Sequence, residues 1–565
     1  MNKILFYILS ILYVQQSIAQ YTLVPDPNFE QSLIDLGIDD DGLNGQFLTS
    51  NALGVLQLNV SNDNISDLTG IEAFVDLEQL WVINNNLTSI DVSQNPALIQ
   101  LDLDQNYLTT VDVSQQVDLI ELDVSNNPIE VLDLSQNIAL FTLFVFMGNL
   151  NSIDLSSNVN LVNLYLDFNN LSDIDLSNNT NITGLGLRNN NLTSIDLSNN
   201  IKLEGIDVSE NQFSTIDLSD LNLLEGIHIW ENNLTNLDLS NNPLLSTLRC
   251  RDNLLTELDL TNNPLIETIN CAINSISVIN FTTTNYLDEF ICAINNITNL
   301  DLSNMPTLER FYMAENQFES IDLSNCPNLK WFVSWENNLT SLDFTNNPLL
   351  EWVYSDDNPL VSVDVSQNPL LEEFYIRNTL ISNLDLSQNP LLNILKAENT
   401  LISSIDLSNN QFEGGTVVLS DNPNLTQVDV RNDNNEDIFI FRSLDCPNLT
   451  CIFVDDAGSN NNNFTIDTHT TLVNNEEECD ALSISEYELN SLIKIYPNPA
   501  QNILYINNDS DIFINSIEVY DILGKLLLVK KDNFKLLDLS SLNKGVVFVK
   551  IKTANDVIIK KIIKE

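Results

Sequence analysis

"LVNLYLDFNNLSDIDLSNNTN", residues Leu161–Asn181, is one period of a repeat that governs most of the chain. Leu98, Leu119, Leu140, Leu161, Ile182 and Leu203 open successive copies 21 residues apart, and the register holds from Leu77 to the copy opening at Leu392, sixteen coils in all. The shared pattern is LxxLxLxxNxLxxIDLSxNxx, and a longer copy precedes it near Leu53. In LxL and again in IDLS, apolar residues alternate with others, the period of an extended segment with one buried face. A single coil of this length cannot bury its own apolar face, but stacked coils bury a continuous core. The pattern therefore predicts two short extended segments per coil, joined by turns. Asn follows the first segment in 13 of the 16 coils, the exceptions being Gly148, Thr379 and Thr400. A stacked Asn column can bond the turn backbone that stacking would otherwise bury unsatisfied.

These features resemble the leucine-rich repeat family, and within it the 21-residue bacterial class. The resemblance implies a mainly β protein, a parallel-β solenoid with LxL on a concave sheet and IDLS on the convex side. Regularity falters after Leu392: the next clear start is Leu425, well beyond one period, and Gly414–Asn424 reads as an inserted half-coil. At the front, "DPNFEQSLIDLG" (Asp26–Gly37) reads as a capping helix, with Asp26 as N-cap, Pro27 in the first turn and Gly37 as the stop. Phe29, Leu33, Ile34 and Leu36 would cover the first coil.

Charge divides the chain. From Ile493 onward there are 11 Lys and 8 acids; before it there are 11 cations and 71 acids, and the whole carries −57. Nucleic acid, which requires clustered Lys and Arg, is not an expected partner. "MNKILFYILSILYVQQSIA" has the charged start, short apolar run and small-residue end of a secretory signal, and no other stretch suits a transmembrane helix. The expected organisation is a signal peptide at 1–19, an N-terminal cap at 20–52, the solenoid at 53–448, a C-terminal cap at 449–480, a linker at 481–492 and a separate module at 493–565.

That last module holds short alternating β-segments split by turns. It resembles the type A C-terminal sorting domain of the type IX secretion system. Tyr496, Pro497, Asn498 and Pro499 match the entry motif, Gly524 the central hairpin, and Lys544 with Gly545 the last turn. Val547 departs from the aromatic common after that glycine. The resemblance implies a small β-sandwich, the type IX machinery as partner, and a secreted or cell-surface destination at the outer membrane. Of the seven cysteines, Cys250, Cys271 and Cys292 recur at the repeat interval in an inward position and read as a buried column of free thiols. Cys451 and Cys479 lie where the segment beyond the last coil resembles the disulfide-closed cap of secreted Bacteroidetes proteins, which implies their pairing; Cys446 is a competing partner.

Catalytic signals are weak. His228 and His469 have no nucleophile context, and no acid pair stands out among the many carboxylates. "GIDDDGLNG" (Gly37–Gly45) is half a calcium loop without its end ligands. Asp of IDLS is present in 15 of 16 coils, Asn280 excepted, with Ser or Thr two residues on in every coil. Two readings stay open: local turn hydrogen bonds, or bridging by calcium, the one cofactor the sequence suggests. All five Trp fall at outward positions of the concave strands: Trp81, Trp230, Trp331, Trp335 and Trp352. Exposed aromatics of this kind mark interaction sites. The expected ligand-binding patch is Tyr312, Trp331, Trp335, Trp352, Tyr354 and Tyr375, on a non-enzymatic protein that binds an extracellular protein or polysaccharide. A structural adhesin or spacer is the alternative, and a polysaccharide-acting enzyme the remote one.

Overall fold

The computed structural model describes residues 20–281, 286–433, 437–459, 462–482, 493–508, 513–553 and 557–565. The signal segment and most of the linker lie outside them. Twenty short strands, from Gln57–Asn59 to Phe464–Ile466, form one parallel ladder in which each strand pairs with the next. From Gln57–Asn59 to Ile440–Ser443 their inward residues are buried: Leu101, Leu122, Leu143 and Leu164 show no exposed surface. Each buried Leu of this kind contributes about 1.5–3 kcal/mol.

Asparagine holds the turns as the sequence suggests. Leu87 N donates to Asn106 Oδ1 at 3.0 Å, and Asn106 Nδ2 donates to the carbonyls of Val82 at 2.8 Å and Leu103 at 3.1 Å. A residue in left-handed conformation precedes this position in coil after coil, from Asn84 to Asn399. On the convex side the second extended segment of each coil is tied to its neighbours less regularly. Paired strands occur there only in places, as in Glu257–Leu260 with Val278–Phe281 and Ser341–Asp343 with Ser362–Asp364. A further set of bonds fastens the convex turns whether or not the strands pair. Val113 O accepts from Gln116 N at 3.1 Å and from Asn137 Nδ2 at 2.9 Å, and Asn158 Nδ2 repeats the arrangement on Leu134 O in the next coil. This second column, the last Asn of the template, also runs beside the paired strands, where Asn368 Nδ2 donates to Phe344 O at 3.0 Å.

At the front, Asp26 caps the helix Pro27–Asp35 by accepting from Asn28 N, and its other oxygen accepts from Ser66 N and Oγ in the first coil. Phe29 and Leu33 are buried, but Leu36 is half exposed and covers nothing. At the far end the expected half-coil is absent. Thr416–Val418 is a full concave strand paired with Ile394–Lys396 and Ile440–Ser443, so the coils lengthen instead. Both ladders run on through Cys451–Phe453, Phe464–Ile466 and Thr471–Val473 to the helix Glu476–Leu482. A disulfide joins Cys451 to Cys479, and Cys446 is a buried free thiol. Cys250, Cys271 and Cys292 are buried and free; burial pushes the Cys250 thiol up to about 12, so it is inert at neutral pH.

The last module has two antiparallel sheets. One contains Ile493–Tyr496, Ile503–Asn508 and Leu536–Asp538; the other contains Ile514–Asp521, Leu526–Lys530, Gly545–Thr553 and Val557–Lys564. They enclose a separate core that includes Leu504, Val519, Val549 and Val547.

Candidate functional site on the concave face

Each concave strand has two outward positions, and the next residue facing the same way lies at the strand exit. Stacking of equivalent coils turns these positions into columns. In the first column Arg310, Trp331, Trp352 and Glu373 are successive neighbours. In the second, Tyr312 is followed by Val333, then Tyr354, Tyr375 and Lys396. Trp331 and Trp352 stack with ring centres 4.5 Å apart and planes 9° apart; Tyr354 and Tyr375 lie 4.5 Å apart at 47°. Val333 separates Tyr312 from the other tyrosines.

The rings do not form an open platform. Arg310 lies 5.9 Å from the Trp331 ring centre, and Lys396 lies 4.3 Å from that of Tyr375. Two aromatic stacks thus run along the solenoid, each with a cation at one end, and much of their ring surface is used internally. Tyr354 Oη donates to Glu373 Oε2 at 2.6 Å. Burial, reinforced by Glu373, raises the Tyr354 hydroxyl and pushes Tyr375 up to about 12. Trp335, at the strand exit, has no ring or cation against it among the described residues. With Tyr354, Tyr375, Asp356 and Arg377 it lines an open recess of about 360 Å³. Asp356 is buried and holds Arg377 at 2.7 Å.

Elsewhere the face changes character. Asp102 and Asp123 are neighbours near the front, and burial pushes Asp102 up to about 6. Asp167, also raised to about 6 by burial, accepts from Arg188 N. Arg188 pairs with Glu210 at 2.5 Å and lies over Trp230 at 4.4 Å. His228 Nδ1 stands 3.6 Å from Asp207. Trp81 is half-buried on the second outward column beside Asp102. Arg249 and Arg251 are not singled out by the sequence reading. A signal for them exists: in so acidic a chain, two arginines at outward positions of one coil have few counterparts.

In the last module, Asn498 Nδ2 donates to Lys561 O at 2.9 Å, and Asn498 Oδ1 accepts from Ile563 N at 2.8 Å. The Tyr496–Pro499 stretch is thereby fastened to the final strand. Gly524 takes φ 81° in a turn whose Leu523 N and Lys525 N both donate to Asp521 Oδ1. Lys544 and Gly545 lead into the strand Gly545–Thr553. Residues 494–565 match the family described as the secretion system C-terminal sorting domain. The chain carries a type IX sorting domain. That domain marks the chain for secretion and the cell surface.

No curated protein matches the chain by sequence. Among solved structures, the functional domain of InlJ from Listeria monocytogenes, described as including a cysteine ladder, is similar at TM-score 0.54 and 22% identity, over 97% of this chain and 99% of that one. YopM from Yersinia enterocolitica gives TM-score 0.49 and 20% identity over 62% and 88%. The leucine-rich repeat protein LIC12759 from Leptospira interrogans gives 0.47 and 18% over 59% and 92%. The repeat region ahead of the sorting domain is a solenoid of the leucine-rich repeat type. Among the described residues no helix is long and apolar enough to cross a membrane.

Proposed function

We propose that this is a non-enzymatic binding protein of the cell surface, delivered by the type IX machinery, that holds an extracellular protein or polysaccharide in its concave face. The carrying observation is the recess beside Trp335. Its aromatic neighbours are already stacked, so little side-chain freedom is lost when a ligand docks. Of the rings that line the recess, Trp335 is the one with no ring or cation stacked on it among the described residues. The sequence-based expectation that Trp331 and Trp352 offer their faces gives way to one in which they support the site and Trp335 contacts the ligand. No resident cofactor is needed for this role. The test is an array of immobilised polysaccharides and extracellular proteins probed with the full chain. For whatever the wild type retains, Trp335→Ala should lose about 2 kcal/mol of affinity, roughly thirtyfold, with an unchanged unfolding midpoint. Undiminished binding by Trp335→Ala would move the site elsewhere.

A further inference from the structure

Before residue 493 acids outnumber cations 71 to 11, and of the concave-face arginines Arg249, Arg251 and Arg442 have no carboxylate partner among the described residues. Arg188, Arg310 and Arg377, on the same face, each have one: Glu210 at 2.5 Å, Asp288 and Glu289 at 3.3 Å, and Asp356 at 2.7 Å. Arg249 and Arg251 lie between them in sequence, are exposed, and their guanidinium groups have no ion pair or hydrogen bond among the described residues. Both line a recess of about 270 Å³, with Trp230, Thr268, Asn270 and Glu289. Glu289 is ion-paired with Arg310 and makes no ion pair with Arg249 or Arg251.

The surface beside the recess is bare. Gly205 and Gly226 pair in adjacent strands, and Gly226 pairs with Thr247 of the arginine coil. A Cβ added at either glycine would meet nothing within 4 Å, and neither has a positive φ. The fold would accept side chains there, and glycine weakens a strand. Open sheet next to two unpaired cations and an indole leaves room for a ring-shaped polar unit.

We infer that Arg249 and Arg251 form an anion-binding subsite, and that the ligand of the concave face is an acidic polysaccharide carrying carboxylates. This rests on the reading of that face as a binding surface. Two arginines two residues apart on one strand stand about 6–7 Å apart and can each grip a carboxylate through two hydrogen bonds. Thr268 and Asn270 offer hydroxyl and amide partners for sugar hydroxyls. The recess is open, and five of its seven lining residues are polar or charged, Trp230 and Ile291 being the apolar ones. It lies four strands from the Trp335 recess, roughly 19 Å along the solenoid. A polymer spans both; a single sugar or free ion does not.

The experiment measures binding of the full chain to polygalacturonate, to its methyl ester, and to polyglutamate at low and high salt. The wild type should bind polygalacturonate at least tenfold more tightly than the ester, with affinity falling as salt rises. R249Q/R251Q should lose that tenfold preference. G205V/G226V should bind polygalacturonate at least tenfold more weakly with no lowering of the unfolding midpoint, which separates a blocked floor from a damaged fold. Equal binding of acid and ester, or R249Q/R251Q binding like wild type, would overturn the inference. So would polyglutamate binding as tightly as polygalacturonate, which would make the partner an acidic protein. W335A serves as the separate control: if it weakens acid and ester alike while the arginine variant changes nothing, the concave site stands and only the anionic subsite fails.

Discussion

Ile273 and Ile294 show how strongly one side chain is overruled by the stack. Each sits at the left-handed position before the turn Asn, with φ 56° and 57°, where most coils have Asn, Asp, Glu or Gln. A β-branched residue there costs about 1–2 kcal/mol because its side chain crowds the backbone. Asn274 and Asn295 nevertheless make the usual bonds, to Cys250 O and Cys271 O at 3.0 Å, so the neighbouring coils impose the turn. Ile294 is 39% exposed and contributes little to the core. Ile294→Asn should therefore stabilise the protein by about 1 kcal/mol, read as a raised midpoint in urea unfolding. A lowered midpoint would mean that contacts of the isoleucine outweigh its backbone strain.

At the scale of an element, the Tyr496–Pro499 stretch has a mechanical role that its motif does not reveal. Asn498 bonds the last strand at both Lys561 and Ile563, and so closes the edge on which the chain ends. Asn498→Ala should loosen the strand Val557–Lys564, seen as faster amide exchange there, and should lower delivery of the protein to the surface. Exchange and delivery both at wild-type level would deny the clamp any part in sorting. Elements also show where sequence reading stops. The concave strands are legible because Leu alternates with polar residues at an unbroken period. The convex segments share that alternation yet seldom pair; alternation reports which way side chains face, not where backbone bonds go. The lengthened coils after Leu392 read as an insertion because a fixed period cannot accommodate a coil that grows in its turns. The aromatic residues can be located by column, but not the fact that Arg310 and Lys396 close the ends of their stacks. The two arginines of one coil can be seen in the sequence, but their lack of a carboxylate partner is a relation to neighbours, visible only in space.

For the molecule as a whole, two populations of aspartate set opposing pH responses. On the convex side, hydrogen bonds from the Ser two residues on hold Asp112, Asp133, Asp154 and Asp175 below the usual carboxylate range. Folding favours their charged form, so their contribution is present above about pH 4 and is lost as pH falls below it. On the concave side, burial raises Asp102 and Asp167 to about 6. Folding favours their neutral form, so that contribution is present below about pH 4 and is lost as pH rises through 6. Protonation also relieves part of the self-repulsion of a chain at −57. The thermal midpoint should rise from about pH 7 to about pH 5 and fall again below about pH 4. A midpoint that is flat, or highest above neutrality, would mean these two aspartates do not govern this range.

The regular hydrogen bonds that tie each coil to the one before it have a consequence at the level of the gene. Every coil in the regular stretch offers its successor the same acceptors in the same places. A copying error that adds or removes one whole repeat of codons there gives each downstream coil a neighbour of the same kind, while a gain or loss of another length breaks the asparagine columns at the junction. The gene can therefore lengthen or shorten the protein by recombination between its own repeats without inventing a new contact. Surface reach becomes a quantity that lineages can vary in whole coils, while the export tag and the two end caps remain as they are.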